Sequence, residues 1–152
     1  MDRLILERMA EFRDDASGYL AIQNTRPQTI GYGLTDSPVF LLAWIAEKIQ
    51  DWTDVDLDVD QILTLVSVAW FGRAGASAAH TLYDQAHSHE WGLPTSVPQA
   101  MTVFGADPTV RRVLPFPEDG RWTEYEQGRH FPAMELPDLL ADDLRAFFGP
   151  LR

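Results

Sequence analysis

The chain contains no cysteine. That excludes a disulfide framework and thiolate metal ligation, and it fits a reducing cytoplasm, the expected compartment. Basic residues are scarce: 12 Lys and Arg stand against 23 Asp and Glu, a formal net charge of -11. Nucleic acid is therefore not expected as a partner, because a phosphate backbone needs a basic face. Adsorption to an anionic membrane is disfavoured for the same reason. The N-terminal residues lack an apolar core of signal length, and no run approaches the roughly 18 uninterrupted apolar residues of a membrane span. Internal repeats and low-complexity tracts are missing too. What is present, 152 residues with 45% hydrophobic and 23% charged, reads as one soluble globular domain of ordinary size.

Periodicity divides the chain into a helical half and a mixed half. Leu4, Ile5, Met9 and Phe12 recur at helical spacing, which predicts a short amphipathic helix over residues 2 to about 14. Residues 18–33, with Pro27 and several glycines, read as an ordered loop. Asp36-Ser37-Pro38 is a helix start, because Asp36 or Ser37 can cap and Pro38 suits the first helical position. The helix behind it runs from Val39 to about Trp52; its first two turns are apolar all round, so both sides must be covered. The acidic connector Asp51 to Asp60 leads to a second apolar helix, Gln61 to about Trp70 or Phe71. Gly72 and Gly75 interrupt the pattern, Ala76 to about His87 resumes it, and Trp91-Gly92-Leu93-Pro94 closes this half.

From Val97 the order becomes strand, loop, strand, loop, helix. Strands are predicted at Val97–Phe104 and Arg121 to about Glu126, with a helical turn near Val110 to Leu114 between them. A final helix starts near Pro137 and stops at Gly149-Pro150, with Leu139, Leu140, Leu144, Phe147 and Phe148 read as its buried side. The fold class is α/β. Two strands alone are marginal in water, and parallel strands need helices on both faces. The apolar helices thus look like layers of a larger sheet protein, so the stretch is expected to be a fragment or to dimerise.

Chemistry concentrates in the mixed half. His130 lies in Gly128-Arg129-His130-Phe131-Pro132-Ala133-Met134-Glu135, a loop between strand and helix, where a side chain reaches a substrate from a fixed backbone. Asp107 follows the preceding strand, so an acid and then a histidine occupy successive strand ends, the back half of a catalytic triad. A nucleophile on a sharp strand-to-helix turn is missing. Asp107, before Pro108, reads equally as a turn-forming aspartate, and Asp119 before Gly120 as a simple turn. Gly75-Ala76-Ser77-Ala78-Ala79 approximates a nucleophile elbow but lacks the last glycine and a preceding strand, so close helix packing explains Ser77's surroundings better. His80, His87, His89 and Glu90 match no metal-ligand spacing and read as exposed or helix-capping groups. The aspartates of 51–60 lack a calcium-loop pattern. No metal or cofactor is expected. Tyr83, among apolar neighbours, reads as core or interface, and the tryptophans as core and seam residues.

Several separated motifs carry a resemblance. Leu34-Thr35-Asp36-Ser37-Pro38-Val39, Ala43-Trp44-Ile45-Ala46-Glu47-Lys48, Val97-Pro98 and the His130 segment resemble the C-terminal part of epoxide hydrolases of the microsomal type, within the α/β-hydrolase superfamily. The similarity runs from Gly18-Tyr19-Leu20-Ala21-Ile22-Gln23 to the last helix. It implies a partial α/β-hydrolase fold: residues 1–33 the end of a lid region, 34–95 a helical layer, and 96–152 the last two strands and C-terminal helix. It also implies hydrolysis of epoxides to diols through a covalent aspartyl ester. His130 then matches the water-activating histidine, Asp107 the acid that orients it, and Tyr83 falls close to a lid tyrosine. The nucleophilic aspartate, the oxyanion-hole segment and the second lid tyrosine have no counterpart, so the isolated chain is expected to be inactive. Its implied partners are a small epoxide and a complementing N-terminal half or second copy. The alternative is a non-catalytic binding or assembly module derived from the same fold.

Overall fold

A computed structural model describes residues 3–88, 96–105, 107, 109–114 and 116–151. Trp91-Gly92-Leu93-Pro94, His89 and Glu90 lie outside these residues. The chain forms two compact units, Met1–Glu47 with Val59–Leu93, and Lys48–Asp58 with Pro94–Arg152.

In the first unit, α1 (Arg3–Glu11) buries Ile5 and continues into a π-helical turn, Phe12–Ala16. The predicted loop at 18–33 is instead helical, forming α2 (Gly18–Thr25) and α3 (Pro27–Asp36). The reason is positional: Pro27 occupies the first turn of α3, where its missing N–H costs nothing. Gly31 lies inside α3, against Ala76 of α6 (Gly75–His87), at 3.4 Å from where a Cβ would stand. Gly31 is thus a helix residue rather than a turn former, and an added Cβ would meet Ala76 at ordinary contact distance.

Ser37 accepts a hydrogen bond from the N–H of Phe40 at 3.2 Å, capping α4 (Pro38–Asp51) as the Ser-Pro pair predicts. Between α5 (Val59–Phe71) and α6, the turn at 72–74 places Arg73 at φ 52. Ile30, Leu34, Leu41, Val66 and Ala79 form the core of this unit, with Trp44 and Trp70 packed against it. The first turns of α4 are not covered on every side: Leu41 is buried, whereas Val39 is 72% exposed. On α5, Leu63, Val68 and Phe71 are likewise exposed. Among the described residues no single helix is long and apolar enough to cross a membrane; α5 and α6 pass that test only as a pair bent by 87°.

The second unit is built on two parallel strands, β1 (Ala100–Phe104) and β2 (Arg121–Tyr125), in register from Ala100 opposite Arg121 to Phe104 opposite Tyr125. β1 starts later than the predicted Val97, because Pro98 cannot donate to a ladder. A short helix, α7 (Val110–Val113), lies in the crossover, and α8 (Pro132–Glu135) precedes α9 (Pro137–Phe148).

The buried stripe of α9 differs from the expected one. Leu144 and Phe148 are about half exposed, while Asp143 is only 4% exposed. Thr102 and Arg121 donate to its carboxylate at 2.5 and 2.6 Å, and the Tyr125 hydroxyl donates at 3.2 Å. These three donors share one face of the sheet, since alternate residues of in-register strands point the same way. Burial pushes the Asp143 carboxyl up, but the bonds from Thr102 and Arg121 and the guanidinium charge outweigh it and hold the group below its ordinary 3.8. Tyr125 is displaced upward from 10.0, by burial first and then by the Asp143 charge.

Candidate functional site

Parallel strands deliver their following loops to one edge of a sheet, and in open α/β sheets that carboxyl edge is where chemistry collects. Here each loop opens the same way. Gly105 directly follows β1 with φ 77, and Gly128 comes three residues after β2 with φ 74. Both are left-handed conformations that L side chains avoid. Asp107 and His130 each stand two residues beyond such a glycine. The Gly105 N–H donates to the Gln127 carbonyl at 3.3 Å, and a Cβ at Gly105 would stand 3.1 Å from the Gly128 carbonyl oxygen. The two loops are thus fastened side by side.

The side chains then diverge. Asp107 is half-buried, and its Oδ1 accepts from the N–H of Thr109 at 2.8 Å and from its hydroxyl at 2.6 Å. That is an aspartate turn entering α7, the local role its position before Pro108 suggests. His130 is exposed, and its ring lies 4.7 Å from the Trp52 ring and 4.9 Å from that of Phe131.

The backbone around His130 is held with unusual thoroughness for a loop. Its own N–H donates to the Trp52 carbonyl at 3.1 Å. On either side, the N–H groups of Arg129 and Phe131 both donate to Oε1 of Glu135 at 3.2 Å. The other oxygen of Glu135 accepts from the N–H of Asp54 at 2.9 Å. Glu135 had no role read from the sequence, and Trp52 was read only as a core or seam residue. The signal for Glu135 was present, an acid just inside a helix that begins with proline. For Trp52, at the end of an apolar helix, there was none.

The remaining candidates have mundane surroundings. Tyr83 lies in the first unit on α6, half-buried, its ring stacked on His87 at 4.1 Å. His87 Nδ1 bonds the Tyr83 carbonyl at 2.7 Å in the last turn, the capping arrangement expected for it. His80 pairs with the Gln28 side chain at 3.0 Å. Ser77 sits in the first turn of α6 and donates to the Ala74 carbonyl at 3.0 Å; helix and turn precede it, not a strand, so there is no elbow. Asp119 is exposed in a turn closed by the Gly120 N–H on the Pro117 carbonyl.

Two concavities lie away from Asp107 and His130. One of about 470 Å³ is lined by residues including Leu34, Ala69, Trp70 and Arg73. Another of about 330 Å³, lined by Val97, Gln99 and Arg121, opens at the amino ends of the strands. Neither includes Asp107 or His130.

Parallel strands with an acid and then a histidine at successive carboxyl ends, a covering C-terminal helix and a helix-rich companion unit make a partial α/β-hydrolase fold. No family model matches the chain. It is similar to epoxide hydrolase 1 of Sus scrofa, 32% identical over 89% of this chain and 34% of that protein. The juvenile hormone epoxide hydrolase of Bombyx mori is 31% identical over 89% of this chain and 34% of its own length. The crystal structure of that silkworm protein superposes with a TM-score of 0.81 at 26% identity, over 95% of this chain and 39% of the other. The structure of Aspergillus niger epoxide hydrolase gives 0.75 at 32% identity, over 96% and 39%. The chain is an epoxide hydrolase homologue that matches the C-terminal portion of those proteins. It spans about a third of the length of the curated relatives it matches.

Proposed function

We propose that this polypeptide supplies the water-activating acid and base of an epoxide hydrolase, completed by a carboxylate nucleophile from sequence outside the chain. The nucleophile attacks an epoxide carbon; the C–O bond breaks, and the oxygen takes a proton from a lid tyrosine, Tyr83 being the candidate here. His130 then removes a proton from water, and the hydroxide attacks the ester carbonyl. The tetrahedral intermediate collapses, the departing alkoxide takes the proton back from the imidazolium to give the diol, and the acid proton lost as the nucleophile returns to carboxylate restores the tyrosine hydroxyl. Asp107 stabilises the imidazolium while it exists. The observation that carries this reading is the matched position of Asp107 and His130, each two residues past a left-handed glycine in the loop that follows one of two adjoining strands. The exposed apolar residues of α5 also fit it, because a larger sheet with further layers would cover them.

Diol formation from styrene oxide tests the proposal, using the chain alone and a hybrid in which it replaces the matching C-terminal part of the Aspergillus niger enzyme. The hybrid is expected to turn over and the chain alone is not. In the hybrid, His130→Gln should stop turnover after one equivalent and leave a covalent ester visible as a mass increment. Undiminished turnover by that variant would refute the assignment.

A second reading, a non-catalytic binding or assembly module, is favoured by the two bonds that tie Asp107 to Thr109. It predicts an inactive hybrid, and a stable dimer or heteromer whose formation survives His130→Ala.

A further inference from the structure

We propose that Glu135 is the positioning residue for the His130 imidazole, a role that rests on the reading of His130 as the water-activating base. A loop histidine is useful to a reaction only if its Cα and ring direction are fixed to a fraction of an ångström. Three consecutive N–H groups achieve this here: Arg129 and Phe131 donate to one oxygen of Glu135, and His130 between them donates to Trp52. The carboxylate therefore grips the backbone on both flanks of His130 and leaves the imidazole free to meet other groups.

Helix capping does not account for the whole arrangement. To cap α8, Glu135 needs only the N–H of Phe131, in the manner of a capping box. Its second oxygen goes to Asp54, 81 residues away in sequence, which does nothing for that helix. That bond ties the His130 loop to the segment carrying Trp52, and the Trp52 ring is the surface on which the imidazole rests. Glu135 thus sets both the histidine's backbone and the distance to its aromatic support. Besides the His130–Trp52 backbone bond, the ion pair of Arg129 with Asp54 at 3.4 Å also links the two segments, but it joins half-exposed side chains and contributes little.

The test is a nuclear magnetic resonance experiment on the whole chain. In the unaltered protein the His130 ring protons should be displaced upfield by the Trp52 ring current, and the amides of Asp54, Arg129 and Phe131 should exchange slowly. In Glu135→Ala the displacement should collapse and the three amides should exchange at least about tenfold faster, while amides of β1 and β2 stay protected. Glu135→Gln keeps one acceptor oxygen and should fall between. If Glu135→Ala fails to fold, the unaltered chain still decides: those three amides exchanging as freely as exposed loop amides would overturn the proposal. Unchanged ring and amide signals in a folded Glu135→Ala would do the same. In the hybrid enzyme, kcat should fall roughly 10- to 100-fold in Glu135→Ala with KM little altered. A hybrid indifferent to His130→Gln would defeat the catalytic assignment alone, because the ring-current comparison judges the positioning independently.

Discussion

Replacing Gly128 by alanine perturbs the point where the second strand hands over to the His130 loop. The residue has φ 74, and an L side chain there brings Cβ against its own carbonyl, at a cost of about 1 to 2 kcal/mol. The new methyl would also stand 2.8 Å from Leu136 Cδ1 and 3.3 Å from Phe104 Cδ1. The first neighbour is the end of a flexible side chain, so it can rotate away at roughly 0.5 to 1.5 kcal/mol. Together these give a loss near 2 kcal/mol. With a typical urea dependence of about 2 kcal/mol per molar, the unfolding midpoint should drop by roughly 1 M. Gly18→Ala is the matched control, since its Cβ would meet nothing within 4 Å and its φ is ordinary. It should leave the midpoint unchanged or raise it slightly, because alanine has less freedom to lose on folding. Equilibrium urea unfolding followed by tryptophan fluorescence reads both variants. A Gly128→Ala protein within about 0.5 kcal/mol of the original would mean that the left-handed loop entrance does not constrain the native state.

Three further outcomes are expected. Asp143→Ala should cost about 3 to 5 kcal/mol in the same assay, because it strands Arg121 and the other donors that converge on the buried carboxylate. The folded-state value of Asp143 is depressed, so its contribution is present above 3.8 and is lost as pH falls through that lower value; the variant should flatten this acid limb. Tyr125 is shifted the other way, so its contribution holds below 10.0 and is lost as pH rises through the raised value, which unfolding midpoints in alkaline buffer would register. Ile49→Ala, at a side chain 1% exposed, should lose about 2 to 5 kcal/mol, read from thermal or urea unfolding. Ser77→Ala should leave styrene oxide hydrolysis by the hybrid unchanged and stability within about 0.5 kcal/mol; lost turnover would revive a serine mechanism.

Much of the site was legible in the residues because its signals are local. A glycine, a loop histidine, then proline and an amphipathic helix can be read within one short window, and the structure gives His130 that strand-to-helix loop. Asp107 after the first strand, the Ser37-Pro38 helix start and the helical period of α4 to α6 were legible for the same reason. Local signals misled where a residue's purpose lies across the fold. Gly31 looked like a loop former but is a residue inside α3, packed against Ala76 of α6. Asp143 lies outside the apolar stripe read for the last helix, yet it is the buried acceptor for donors on both strands.

By itself, then, the sequence determined the α/β class, two strands followed by a C-terminal helix, and the placing of Asp107 and His130 after successive strands, because hydrophobic period and turn chemistry act between near neighbours. Only the tertiary structure decided that Glu135 would bind Asp54 and that Trp52 would support the imidazole. Those contacts join segments far apart along the chain. Their partners are chosen by which backbone N–H groups and ring faces folding leaves in need of satisfaction, and no residue pattern of short range carries that information.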